Sequence, residues 1–379
     1  MIRRFAQRLL RGPITRLAQR LSSAPRKEAV FKSLSSLLER IIKKGAKNDS
    51  VIRFDLIRDR FIIFSDQHKG GRDLADDFRL AEKNYLEALR YYYENGYTLI
   101  CLGDCEELWE NEPKKLMEAN RKALDAEAQF LHAGRYHRVF GNHDLEWKYE
   151  IQRALYLKPV FGDKLKVCEG LILQTPYNND VYSVFLTHGH QGDQRSDGNA
   201  FSKWIVAAIW TPIQRFLEIN IDTVSDSIEL VDKHNIIMYQ WSATQKNLVF
   251  ISGHTHKPVF ASLDHVERLT TQLARAKEEN DTTRIAELQA ELEKRKAEYA
   301  GKQFLKTMAI PSYFNTGCCC FFDGDITGIE IADGDIRLVK WEQEKEVPQR
   351  KVLEQSPLTY IFDKLTLPIQ SPHEVSSAV

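Results

Sequence analysis

Between residues 59 and 260 the chain repeats one pattern: a short, mainly apolar run ends in a polar segment rich in glycine, acid or histidine. Residues 61–64 lead into Ser65-Asp66-Gln67-His68, and 98–102 into Gly103-Asp104. Residues 136–140 lead into Gly141-Asn142-His143-Asp144, 181–186 into Thr187-His188-Gly189-His190, and 248–251 into Ser252-Gly253-His254-Thr255-His256. Runs of this length and continuity predict strands buried on both faces. Between the first of them, residues 78–95 and 114–131 change to helical spacing. Strands alternating with helices predict a layered α/β core.

Further along, residues 326–332 and 335–340 flank Asp333-Gly334, a dipeptide that supplies the positive φ values of a tight hairpin turn. From residue 344 the sequence thins into Pro- and Ser-containing stretches and predicts a peripheral tail over 344–379. At the other end, residues 1–47 read as an amphipathic head in two helical pieces. Ile2, Phe5, Leu9 and Leu10 share a face; Pro13 interrupts; Ile14, Leu17 and Leu21 continue until Pro25, and residues 31–44 form the second piece. The body, 48–343, carries two insertions. Residues 199–246 are helical and contain Trp204, Trp210, Phe216 and Leu217. Residues 263–303 are densely charged, with Val266, Leu269 and Leu273, then Ile285, Leu288 and Leu292, at three- and four-residue spacings. Asn280-Asp281-Thr282 separates these two sets, which predicts a helical hairpin with Thr282 as an N-cap.

Composition supports a folded chain. Of 379 residues 43% are apolar, including 19 Phe, 14 Tyr and 6 Trp, which excludes disorder of the whole chain. The 53 basic residues balance 53 acidic ones, so the general basic surplus of a nucleic-acid binder is absent. The balance is uneven along the chain. Residues 1–27 hold eight basic side chains and no acid, leaving 45 basic against 53 acidic residues elsewhere. Such a head has three readings: a helix on an anionic membrane surface, an organellar transit peptide, or a tail packed on the body. No apolar run reaches the roughly 18 residues of a spanning helix. Six cysteines, three of them consecutive at 318–320, do not form a disulfide pattern and suit reduced cytosolic thiols. The expected location is the cytoplasm, with peripheral contact at the inner face of a membrane through residues 1–27.

The polar strand ends carry one kind of chemistry. Asp66 and Asp104 are carboxylates, His68, His188, His254 and His256 imidazoles, and Asn142 an amide. In an open α/β sheet the strand C-termini gather at one edge, where ligands bind. Mixed nitrogen and oxygen donors suit first-row divalent ions (Mn, Fe, Co, Zn or Ni) better than Mg or Ca. Seven donors are too many for one tetrahedral site and about right for two ions sharing a carboxylate. The set contains no thiolate, unlike a structural zinc site.

Asp66-Gln-His68, Gly103-Asp104, Gly141-Asn-His-Asp144, His188 and Gly253-His-Thr-His256 resemble, in order, the signature of the calcineurin-like metallophosphoesterases. The intervals of 38, 38, 46 and 66 residues between Asp66, Asp104, Asn142, His188 and His254 fit that order. Asn315-Thr-Gly317 resembles the family's last core segment, so the likeness spans roughly residues 59–342. It implies a four-layer αββα sandwich with helical insertions and a dinuclear site. In that site Asp66, His68 and His256 would hold the first divalent transition metal ion, Asn142, His188 and His254 the second, and Asp104 would bridge. Manganese is the expected metal. A hydroxide between the ions would attack a phosphoester or pyrophosphate of a small, lipid-linked or nucleotide-linked substrate. His143 would serve as proton donor or transition-state stabiliser, oriented by Asp144 or Glu107.

Within the family, Gly103-Asp-Cys-Glu-Glu-Leu-Trp109 departs from the Asp-Arg-Gly run of the protein phosphatases. It is similar to the UDP-2,3-diacylglucosamine pyrophosphatase-like group, many of whose members carry Arg where this chain has His143. Two other readings remain on the same fold: a nuclease or cyclic-nucleotide phosphodiesterase, and an inactive scaffold that presents its charged hairpin to a partner.

Overall fold

The computed structural model describes residues 26–48, 50–73, 76–192, 228–262, 281–298 and 310–365, with five positions between 269 and 277. Twelve strands occur among them: β1 (Val51–Arg53), β2 (Phe61–Phe64), β3 (Thr98–Leu102), β4 (Tyr136–Val139), β5 (Val167–Cys168), β6 (Gly170–Tyr177), β7 (Asp180–Thr187), β8 (Leu248–Ser252), β9 (Tyr313–Asn315), β10 (Ile326–Ala332), β11 (Asp335–Glu344) and β12 (Val347–Pro357). The main helices are α1 (Lys27–Asn48), α2 (Phe78–Glu94), α3 (Pro113–Ala119), α4 (Arg121–His132), α5 (Ile228–Ser242), α6 (Thr282–Glu298) and α7 (Leu358–Leu365). Short helical turns fill 145–161.

The strands form two sheets, ordered β1-β6-β7-β8-β9 and β12-β11-β10-β2-β3-β4-β5. Strands β2 to β5 run parallel, as do β7 to β9, so their C-terminal ends point the same way within each sheet. Period-two alternation sends each strand's side chains to opposite layers. On β2, Phe61 and Ile63 enter the space between the sheets, where they meet Leu171, Leu173, Val184, Val249 and Phe314. Ile62 and Phe64 face the other way, against Phe78, Ala81, Tyr85 and Leu89 of α2 and Leu124 of α4. The outer face of the five-stranded sheet, with Ile172, Phe185 and Phe250, is covered by Val30, Leu34 and Leu37 of α1 and Met238 and Trp241 of α5. The layers are therefore helix, sheet, sheet, helix: the expected αββα sandwich.

Several boundaries differ from the sequence pattern. The second piece of the head is α1, whose apolar stripe is part of the core rather than a detached arm. The expected tail contains β12, paired with β11 at the sheet edge, and α7, whose Leu358, Ile361 and Phe362 are buried between the sheets. The single helix expected over 114–131 breaks at Asn120, whose buried side-chain amide donates to the carbonyls of Gly70 (2.8 Å) and Leu116 (3.0 Å). The cap of α6 is Asp281, not Thr282: its carboxylate accepts the Arg284 N–H at 3.1 Å. Trp204, Trp210, Phe216, Leu217 and residues 1–25 lie outside the described residues. Among the described residues no helix is long and apolar enough to cross a membrane.

Candidate metal centre

Five of the seven donors leave their strands on strained backbone. Asp66, His68, Asp104, His254 and His256 have φ between 46° and 70°, a region that costs a non-glycine residue on the order of 1–3 kcal/mol. Cross-loop hydrogen bonds hold these conformations. Asp66 N–H donates to Gly103 O (3.1 Å) and His68 N–H to Asp104 O (2.9 Å). Gly253 N–H donates to His188 O at 2.9 Å, and His254 N–H donates to the Asp66 carboxylate at 3.0 Å. The Asp104 carboxylate accepts the His143 N–H at 2.8 Å. The loops after β2, β3, β4, β7 and β8 are thus stapled to each other.

They bring all seven donors together. His188 Nε2 lies 3.0 Å from Asp104 Oδ2 and 3.2 Å from Asn142 Oδ1. His256 Nε2 lies 3.2 Å from Asp66 Oδ1 and 3.2 Å from His68 Nε2, which is 3.8 Å from both Asp66 and Asp104. His254 groups with Asp104 and His188 within 4.8 Å. Two donors bound to one ion at about 2.1 Å stand about 3.0–3.4 Å apart in octahedral or tetrahedral geometry, so this spacing suits shared cations.

Hydrogen bonding makes the same point. His188 Nδ1 donates to Leu102 O at 3.0 Å, which turns Nε2 toward two oxygens. A neutral ring would meet them lone pair to lone pair; a cation between them removes that conflict. His254 Nε2 is buried without a hydrogen-bond partner, the state of a nitrogen kept for a metal. Burial pushes His188 down, but Asp104 and Asp66 outweigh it and raise the ring to about 9. Burial likewise opposes charge on His68, yet Asp66 and Glu107 hold it well above its ordinary value. Asp104 is held well below the carboxylate range by His188 and His143 in spite of its burial. The cluster demands positive charge, and these residues fit divalent cations.

Two residues that the pattern weighted lightly complete the arrangement. Glu107 Oε2 accepts from His143 Nδ1 at 2.6 Å and from His68 Nδ1 at 3.0 Å. Burial raises its carboxyl, but His143 and His68 bring it down to about 2. Trp109 stacks on the His143 ring at 4.0 Å and 17°, and its indole N–H donates to Asn142 O at 2.8 Å. Asp144 has a different place from the one expected. Its carboxylate accepts backbone N–H groups of Gly141 (2.6 Å), Cys105 (3.0 Å) and Asp104 (3.3 Å), so it shapes two donor loops rather than the His143 ring. Only three-dimensional contact separates Glu107 from other surface glutamates. A thiol also joins the site edge: Cys320 lies within 4.8 Å of His68 and His256, although the strand-end pattern held no cysteine.

Behind the donors sits a buried charged cluster. Lys69 pairs with Glu127 at 2.7 Å and Glu106 at 3.6 Å, and Arg138 donates to Glu106; all four side chains are inaccessible. Trp147 Nε1 donates to Glu106 at 2.8 Å. Lys69 and Glu106 flank His68 and Glu107 in sequence, so the cluster anchors both loops from below.

Residues 59–258 match the calcineurin-like phosphoesterase family. The chain belongs to that family. Among solved structures, this chain is similar to Vacuolar Protein Sorting 29 from Cryptosporidium parvum, with TM-score 0.31, 10% identity, and coverage of 79% of this chain and 98% of that one. It is also similar to a dimetal phosphatase from Danio rerio, with TM-score 0.32, 11% identity, and coverage of 79% and 100%. No curated protein sequence matches it.

Proposed function

We propose that this phosphoesterase hydrolyses a small phosphoester or pyrophosphate with the help of two divalent ions. Asp66, His68 and His256 would hold one, Asn142, His188 and His254 the other, and Asp104 both. The observation that carries the reading is His188, whose Nδ1 is tied to a carbonyl while Nε2 faces Asp104 and Asn142. When bound, the ions supply Lewis-acid polarisation of the phosphoryl group and acidification of water.

The chain's own residues do the rest. His143 Nδ1 gives its proton to the hydrogen bond with Glu107, so Nε2 is the ring atom that meets substrate. From there it donates a proton to the leaving oxygen or a hydrogen bond to a phosphoryl oxygen. Glu107 orients the ring, and Trp109 fixes its plane. Trp109 also lines a cleft of about 430 Å³ with Asn111, Gln152 and Tyr156. Its aromatic and amide groups suit a base, sugar or other neutral moiety. Glu110, Glu112 and Glu146 in the same wall repel a long polyanion, which favours a small substrate over a nucleic acid.

The test is a hydrolysis screen over phosphomonoesters, phosphodiesters, nucleotide pyrophosphates and single-stranded DNA, each with Mn, Co, Zn or Mg. Turnover of a small ester that disappears with a chelator and returns with metal supports the reading. Turnover of DNA alone would move it to a nuclease, and no turnover with bound metal would leave a scaffold.

A further inference from the structure

The three consecutive cysteines follow β9 at the strand edge that carries the site, and their backbone is tied to a donor loop: Cys319 N–H donates to Asp66 O at 3.1 Å. Gly317, at φ 75°, turns the chain just before them, and its N–H donates to Asn315 Oδ1 at 2.9 Å. The three thiols have different surroundings. Cys319 enters the helix-side core, its Sγ 3.9 Å from Thr327 O. Cys318, before it, is buried, and Cys320, after it, is part-buried. Of the three, Cys320 is the part-buried one that reaches His68 and His256, all three donor atoms falling within 4.8 Å of one another.

The two imidazoles supply an independent sign of a cation there. His68 Nδ1 is engaged by Glu107, so Nε2 is its remaining nitrogen, and it faces His256 Nε2 at 3.2 Å. Two ring nitrogens and a sulfur converge on one volume beside Asp66. A sulfur at about 2.3 Å and a nitrogen at about 2.1 Å from one ion stand about 3.1–3.6 Å apart in octahedral or tetrahedral geometry, so donors that all lie within 4.8 Å of one another need a shift of at most about 1–2 Å to share an ion.

Resting on the reading of this cluster as a divalent-metal site, we propose that Cys320 is a ligand of the ion held by Asp66, His68 and His256. Binding exchanges the thiol proton for the metal–sulfur bond and releases that proton to solvent. A thiolate changes which ion the position prefers. It favours softer borderline ions such as zinc, cobalt or iron over manganese and magnesium, which take oxygen donors. Cys318, outside the donor group, is not a ligand.

Cobalt(II) titration of the reduced, metal-depleted full-length protein separates this proposal from the reading beneath it. Visible ligand-field bands report ion binding by the histidine and carboxylate donors; a near-ultraviolet charge-transfer band reports a cobalt–thiolate bond. The expected result is both in the wild type, loss of only the near-ultraviolet band in Cys320→Ser and Cys320→Ala, and its retention in Cys318→Ser. The visible bands also show that each variant keeps its folded site. Visible bands without a charge-transfer band in the wild type would overturn the cysteine ligand and leave the metal site standing. A charge-transfer band that survives Cys320→Ser and vanishes in Cys318→Ser would move the ligand to the neighbour and overturn the assignment. No bands of either kind would overturn the metal site and the proposal together.

Discussion

Glu107 Oε2 lies 2.6 Å from His143 Nδ1, and the same oxygen lies 3.0 Å from His68 Nδ1. One carboxylate therefore orients both the ring that would meet substrate and a ring that would meet metal. Glu107→Gln keeps the shape but removes the negative charge that strengthens both hydrogen bonds, and its amide nitrogen is a donor where the carboxylate had an acceptor. Loss of such a partner commonly costs about 10–100-fold in activity or metal affinity. We expect kcat to fall by that amount and metal affinity to fall with it. Unchanged values of both would show that the bridge has no part in the chemistry.

Gly141 sits where no side chain fits. A Cβ there would lie 2.6 Å from the Asp104 backbone nitrogen and collide with the Asp104 carboxylate. Gly141→Ala should displace the shared carboxylate, and metal analysis should find less ion per chain even where circular dichroism shows a folded protein. Full loading in a folded Gly141→Ala variant would mean that Asp104 is not held as described.

Glu127 ties the buried cluster to the loops. Burial raises its carboxyl, but Lys69 and Arg138 outweigh that effect and hold it below the ordinary value, which is about 4.3. Its contribution to stability is therefore present above that pH and lost as pH falls through the lower folded value. Removing one partner of a buried ion pair costs about 3–5 kcal/mol. Glu127→Gln should lose about that much in urea unfolding near neutral pH, and the gap to the wild type should narrow in acid. A gap constant down to about pH 3 would contradict this assignment.

The basic head is proposed to meet an anionic surface. The helix Lys27–Asn48 packs on the five-stranded sheet, so the removable part is residues 1–25. Deleting them should release the protein from anionic vesicles in a flotation assay while leaving turnover of a soluble ester unchanged. Equal vesicle binding by both forms would assign the head another role.

The parts of the fold legible in the sequence are those whose periodicity is strong. Strands Phe61–Phe64 and Thr98–Leu102 lie inside the seven-stranded sheet and are buried at every position but Thr98, where nearly continuous apolar runs leave no ambiguity. Val347–Pro357 was unreadable because an edge strand alternates polar and part-exposed positions, and Arg350 or Gln355 looks like tail sequence. The donors were legible because each follows its strand directly. Glu107 was legible as an alternative to Asp144 for orienting His143, but its second bond to His68 and the places of Trp109 and Cys320 arise from contacts between loops. Asp144 stands beside His143 in sequence, yet its oxygens go to backbone N–H groups of two loops, which no spacing records.

If the clustered donors make a metal-dependent hydrolase, Asp104→Asn is the variant that must abolish it. Metal content and hydrolysis of a generic aryl phosphodiester should be measured on the same samples of wild type and variant. The wild type should bind about two divalent ions per chain and turn over, and Asp104→Asn should lose both properties while remaining folded. A folded Asp104→Asn protein with full turnover would contradict the account.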